Sequence, residues 1–170
     1  MQTFSVWVIG PSAVGKTTVS KIFYDQIKIK YDKLVLIDGD QIRNLYENNL
    51  GYDPVSRSKN TFRYINLVKW LMGHGISSIV AVISPFEKDR ISCRKIIKNY
   101  KEIYLSCSLD ERIKRDKKKL YVPALKGEKK HVVDVDIPFD VPNKSELTID
   151  TEKKQPGIVV EEIINKLKLL

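Results

Sequence analysis

The segment VIGPSAVGKTTVS, residues 8–20, constrains the fold of this chain more than any other stretch. Residues Gly10 to Thr17 have the spacing G-x4-G-K-[ST]; they follow the apolar run FSVWVI (4–9) and open a helical pattern from Lys16 to about Ile29. Strand, glycine-bearing loop and helix in that order make a phosphate cradle. Gly10 and Gly15 let the backbone curl so that the N–H groups of the loop, through Ser12, Ala13 and Val14 to Thr18, turn toward phosphate oxygens, and the helix N-terminus behind them favours negative charge. Lys16 is expected to reach the β- and γ-phosphates and the Thr17 hydroxyl to ligate Mg²⁺. The implied cofactors are ATP and Mg²⁺.

The apolar-run-then-turn pattern recurs at KLVLIDGD (33–40), SSIVAVISP (77–85) and KEIYLSCS (101–108), with a shorter fifth run at ELTIDT (146–151). Helical patterns lie between them, around NTFRYINLVKWLMGHG, at about 87–99 and 109–116, and at the end in GIVVEEIINKLKLL. Strands without clean alternation, separated by helices, predict an α/β fold: a parallel sheet covered by helices on both faces, of the P-loop NTPase kinase type. With 170 residues, the chain suits one domain spanning 1–170. The segment from about Lys117 to Pro142 is polar, carries three prolines and keeps no period, and is read as an irregular lid.

Thirty Lys and Arg against 21 Asp and Glu give a net charge of +9. Such a balance suits either nucleic acid or small phosphorylated ligands, and runs such as KRDKKK (114–119) also suit a solvated surface. A nucleic-acid protein would more naturally show a basic stripe with interleaved aromatics, so a small-molecule nucleotide is the expected partner and nucleic acid is not. No apolar run has membrane-spanning length and the N-terminus does not read as a leader, so a cytoplasmic protein without a membrane partner is expected. Cys93 and Cys107 lack any CxxC or histidine companion and are expected as reduced thiols. The amphipathic last helix suits core packing and a homodimer contact alike.

Asp38 and Asp40 fall at the carboxyl end of the second run, the edge where such sheets bind ligands. One carboxylate there can organise Mg²⁺ while the other accepts a proton from an attacking hydroxyl. Asp40 is assigned as the base and Asp38 as the metal-side acid, with Gly39 expected to supply a sharp turn between them. Downstream, Arg43, Arg57 and Asn60 gather donors suited to an oxyanion.

GPSAVGKTT, LIDGDQIR, NLGYDP, SRSKN, ISSIVAVISPFEKDR, KRD, KGE and the IPFDVP segment, in that order, resemble the adenylylsulfate kinases from Val8 to about Thr151. These enzymes phosphorylate the 3′-hydroxyl of adenylyl sulfate. The resemblance implies that Arg43, Arg57 and Asn60 hold the acceptor nucleotide, and that Ile83, Ser84, Pro85 and Phe86 line its site. It also implies that Arg115 lies near the ATP base and Lys118 near the transferring phosphate, and that residues 117–142 close over both substrates. Ser84 matches a serine that the family can carry phosphorylated, although direct in-line transfer needs no such intermediate.

Two departures bear on the acceptor. The family holds adenine between two aromatic rings; here Tyr52 supplies the first, and Val132 falls where the second is expected. Stacking of a base on a ring contributes about 1–3 kcal/mol. The usual LYKKAR of the lid is LYVPAL at 120–125. One ring suits a smaller base, and the chain is also similar to the capsule-pathway cytidine diphosphoramidate kinases. The reading favoured on these grounds is 3′-phosphorylation of cytidine diphosphoramidate in capsule biosynthesis, with adenylyl sulfate as the alternative acceptor.

Overall fold

A computed structural model describes residues 2–169. Five parallel strands, β1 (Ser5–Ile9), β2 (Leu34–Asp38), β3 (Ser77–Val82), β4 (Tyr100–Ser106) and β5 (Leu147–Asp150), form one sheet in the order β2-β3-β1-β4-β5. Seven helices connect or flank them: α1 (Lys16–Ile27), α2 (Gly39–Leu45), α3 (Pro54–Gly73), α4 (Glu87–Ile96), α5 (Leu109–Arg115), α6 (Tyr121–Leu125) and α7 (Pro156–Leu167).

The period-2 geometry of β1 explains why its sequence reads as an unbroken apolar run. Val6 and Val8 face a core shared with Phe23 and Ile27 of α1 and Val160 and Ile163 of α7. Trp7 and Ile9 face the opposite core, with Ile65 and Val68 of α3 and Cys93 of α4. Both faces are therefore buried, as the sequence predicts. The apolar face of α7, with Val159, Val160, Ile163 and Ile164, packs on the first core. Both cysteines are free thiols. Among the described residues no helix is long and apolar enough to cross a membrane.

Three elements differ from the sequence-based expectation. The DGD segment is a helix start, not a turn: Asp38 is the N-cap of α2 and its carboxylate accepts from the Asp40 N–H at 2.9 Å. Helix α3 begins at Pro54, earlier than its apolar pattern, because the Asp53 carboxylate caps Ser56 N at 3.0 Å. Within the segment expected to be irregular, Tyr121–Leu125 forms the short helix α6.

Candidate active site

The phosphate loop leaves β1, the central strand, and enters α1. Gly10 has φ 147°, and a Cβ there would stand 2.3 Å from the Leu105 carbonyl oxygen, so no larger residue fits. Gly15, at φ 94°, is the left-handed cap from which α1 starts. Ala13 also holds a positive φ, 64°. Lys16 folds back over the loop, its Nζ donating to the Pro11 carbonyl at 2.5 Å, and burial lowers its pKa to about 7. A bound polyphosphate would supply the negative charge that this ammonium lacks. The loop is braced from outside by the Tyr121 hydroxyl, which donates to the Ser12 carbonyl at 2.8 Å, and by Thr151 Oγ1, which donates to the Val14 carbonyl at 3.0 Å. Thr18, at the first turn of α1, is exposed.

Thr17 Oγ1 donates to Asp38 Oδ2 at 2.8 Å. Two hard oxygen donors at hydrogen-bond separation beside a phosphate loop suit Mg²⁺, which takes only one or two protein ligands and fills its octahedron with phosphate oxygens and water. Thr17 and Asp38 would hold it. Asp40, in the first turn of α2, is ion-paired with Lys118, which arrives from the segment after α5. The pair joins the two sides of the cleft, and both side chains are 61% exposed, within reach of a ligand. Gly39 serves close approach instead of a turn: a Cβ would meet Val82 Cγ1 at 3.2 Å and the Ala81 carbonyl oxygen at 3.4 Å.

The acceptor-side candidates meet around Tyr52. The Arg43 guanidinium lies 4.4 Å from the Tyr52 ring centroid and that of Arg57 5.5 Å. Arg43 is buried and donates to the Leu50 and Gly51 carbonyls; Arg57 donates to the Tyr52 carbonyl and to the His131 carbonyl across the lid. Burial and the neighbouring Arg43 cation pull Arg57 down to about 10, so it stays charged at neutral pH. Two cations on one ring, with mostly carbonyl partners, leave net positive charge for an anion to neutralise. Asn60 is buried and donates to the Tyr64 hydroxyl, while its Oδ1 finds no hydrogen-bond partner among the described residues.

Ile83 to Phe86 run from β3 into α4 beneath the lid. The Ile83 carbonyl accepts from Gly10 N, the Pro85 carbonyl from Asp140 N, and Phe86 is the N-cap of α4. Ser84 has φ 45°, is 4% exposed, and its hydroxyl is unpartnered among the described residues. Arg115 bonds Glu111 and the Thr151 and Glu152 carbonyls, and Thr151 in turn bonds the Val14 carbonyl of the loop. Val132, expected against the acceptor base, is 5% exposed and packs with Tyr121 and Ala124, with Ala13 of the phosphate loop against them. That packing occupies its side chain.

Arg112 was not legible as a site residue. It is buried and bonds Tyr121 and Asp134. In the sequence it reads as one more cation before KRDKKK, yet it shares the inward face of α5 with Leu109 and Ile113 at i−3 and i+1, and that pattern was the available signal.

A sequence model of the family described as Adenylylsulphate kinase matches residues 2–150. The chain is 34% identical over 170 residues to a probable adenylyl-sulfate kinase of Pyrococcus abyssi, covering 100% of this chain and 98% of that one. It is 36% identical over 166 residues to the cytidine diphosphoramidate kinase of Campylobacter jejuni, covering 98% and 97%. The structure of the Mycobacterium tuberculosis APS kinase in complex with AMPPNP and APS superposes with a TM-score of 0.90 at 26% identity, covering 98% of each chain. The family model spans most of this chain and the relatives match nearly its whole length, so the protein belongs to the adenylylsulphate kinase family of ATP-dependent nucleotide kinases.

Proposed function

We propose that the protein transfers the γ-phosphoryl group of ATP to the 3′-hydroxyl of adenylyl sulfate. The observation that carries the reading is Asp40, held by Lys118 beside the phosphate loop and on the same short helix as Arg43, which flanks Tyr52. In this reading the loop N–H groups and Lys16 bind the triphosphate. Mg²⁺, held by Thr17 and Asp38, would neutralise charge on its phosphates. Arg43, Arg57 and Asn60 hold the acceptor nucleotide with Tyr52 under its base. The 3′-oxygen attacks the γ-phosphorus, the bond from that phosphorus to the β,γ-bridging oxygen breaks, ADP leaves, and the hydroxyl proton passes to Asp40. Lys118 then exchanges Asp40 for the moving phosphoryl group, which frees the carboxylate at the moment it is needed.

Most of the relatives that match over nearly all of this chain are named for adenylyl sulfate, which supports that acceptor over the cytidine compound favoured by the sequence alone. Cytidine diphosphoramidate stays as a second reading because one relative at 36% identity bears that name and because Val132 leaves Tyr52 without a second ring. The test is Mg²⁺-dependent ADP release with each acceptor at matched concentration, read as kcat/KM. A preference of about tenfold or more for adenylyl sulfate, the ratio set by 1.4 kcal/mol of differential transition-state binding, supports the proposal. An equal preference for the cytidine compound transfers it to the second reading, and no ADP release with either overturns the nucleotide acceptor.

A further inference from the structure

The lid turn 131–137 is built tightly. Asp136 accepts from the N–H groups of both His131 and Val132 at 2.6 Å, Asp134 N donates to the Ile137 carbonyl at 2.7 Å, and Val133 bridges to Ile137. His131 and Asp134 hold positive φ values of 66° and 67°, so the turn keeps two strained residues. Such a turn is held together by its own bonds.

An arginine from each side of the cleft grips that unit. At its start, Arg57 of α3 donates to the His131 carbonyl at 2.8 Å, and its Nε donates to the Tyr52 carbonyl at 2.7 Å. At its middle, Arg112 of α5 donates to the Asp134 carboxylate at 2.6 Å. The same guanidinium donates to the Tyr121 hydroxyl at 3.1 Å, and that hydroxyl donates to the Ser12 carbonyl of the phosphate loop. Contacts therefore run unbroken from Ser12 through Tyr121, Arg112 and Asp134 to His131, Arg57 and Tyr52. The end members belong to the two substrate sites.

We infer that Arg112 is a positioning residue that ties the lid turn to the phosphate loop, so that filling the donor site orders the surface on which the acceptor nucleotide lands. The inference rests on the kinase reading, though not on the identity of the acceptor. Burial fits the role: Arg112 has a side-chain exposure of 5% and Asp134 of 42%, so the arginine end of the pair is set into the fold and the aspartate end lies at the surface. The ion pair joins residues 22 apart in sequence and is the direct charged link between α5 and the turn. Loop ordering by a ligand that contacts only one end requires such a link, because a ligand shifts an equilibrium only through states it binds differently.

The test is hydrogen exchange of the amides of residues 131–137 with and without the Mg²⁺ complex of a non-hydrolysable ATP analogue, in the native chain and in Arg112→Met. Methionine keeps the buried volume and leaves Asp134 free to face water. The native chain should exchange about fivefold or more slowly in this turn when the analogue binds, and Arg112→Met should lose that slowing while binding the analogue within about twofold of native affinity. Asp134→Asn should lose it as well. Equal slowing in all three proteins overturns the inference, as does slowing in none of them despite bound analogue. Failure of the native chain to bind the analogue at all would instead strike the kinase reading, which keeps the two failures apart.

Discussion

At the scale of single residues, Lys16 carries the most exposed consequence. Burial holds its pKa near 7 in the protein, against 10.5 in water, so a large share of the side chains is neutral at pH 8. Bound phosphates favour the ammonium and raise that value again. Binding of MgATP at pH 8 should therefore take up about one proton per nucleotide and at pH 6 almost none, so affinity should weaken as pH rises above 7. Calorimetric titration in two buffers of different ionisation enthalpy reads the uptake directly; a buffer-independent heat at pH 8 would sink the assignment. Asp40 makes the second prediction at this scale. Asp40→Ala should lower kcat by roughly 10²–10⁴-fold and leave MgATP affinity within about threefold, because the carboxylate meets the acceptor hydroxyl and not the triphosphate. Near-native turnover in single-turnover kinetics would remove Asp40 from the role of base.

Among the elements, α2 shows how a short helix sets catalytic geometry. Its N-cap, Asp38, takes the Thr17 hydroxyl on one carboxylate oxygen and the Asp40 N–H on the other, so one side chain fixes the metal-side donors and the start of the helix together. Gly39 lets that start rest on β3. In Gly39→Ala the added methyl would crowd Val82 and the Ala81 carbonyl and lift Asp40 with the helix. Alanine's better helix propensity offsets much of the crowding, so stability should change by less than about 1 kcal/mol while kcat falls by about tenfold or more. Unchanged kcat, measured beside a thermal melt, would show that α2 does not transmit the displacement. This helix was missed in the sequence because it has seven residues and an arginine as its buried member, which leaves no apolar stripe to read. The strands were legible for the opposite reason. Val6 to Ile9 are fully buried on alternating faces, and covered faces need no polar residues.

Across the whole molecule, the sequence carried the parallel α/β sheet and the phosphate loop because both depend on local patterns: apolar runs, glycine spacing, a helix after each turn. Strand order was not legible, since placing β1 between β3 and β4 depends on crossovers and not on any run of residues. The lid was legible only as irregular, because its order comes from distant bonds: Arg57 to His131, Arg112 to Asp134, and Asp140 to the residues that open α4. For the same reason Val132 was expected at a base and is found packed on Tyr121, a contact that no periodicity announces. Asp140 leads further. Its carboxylate accepts from Glu87 N, its N–H donates to the Pro85 carbonyl, and its carbonyl accepts from Arg90, so the far end of the lid is stapled to the start of α4 as Tyr121 staples the near end to Ser12. Between two such staples the intervening chain is a span fixed at both ends, so a change of residue within it reshapes the surface offered to the acceptor without releasing either anchor.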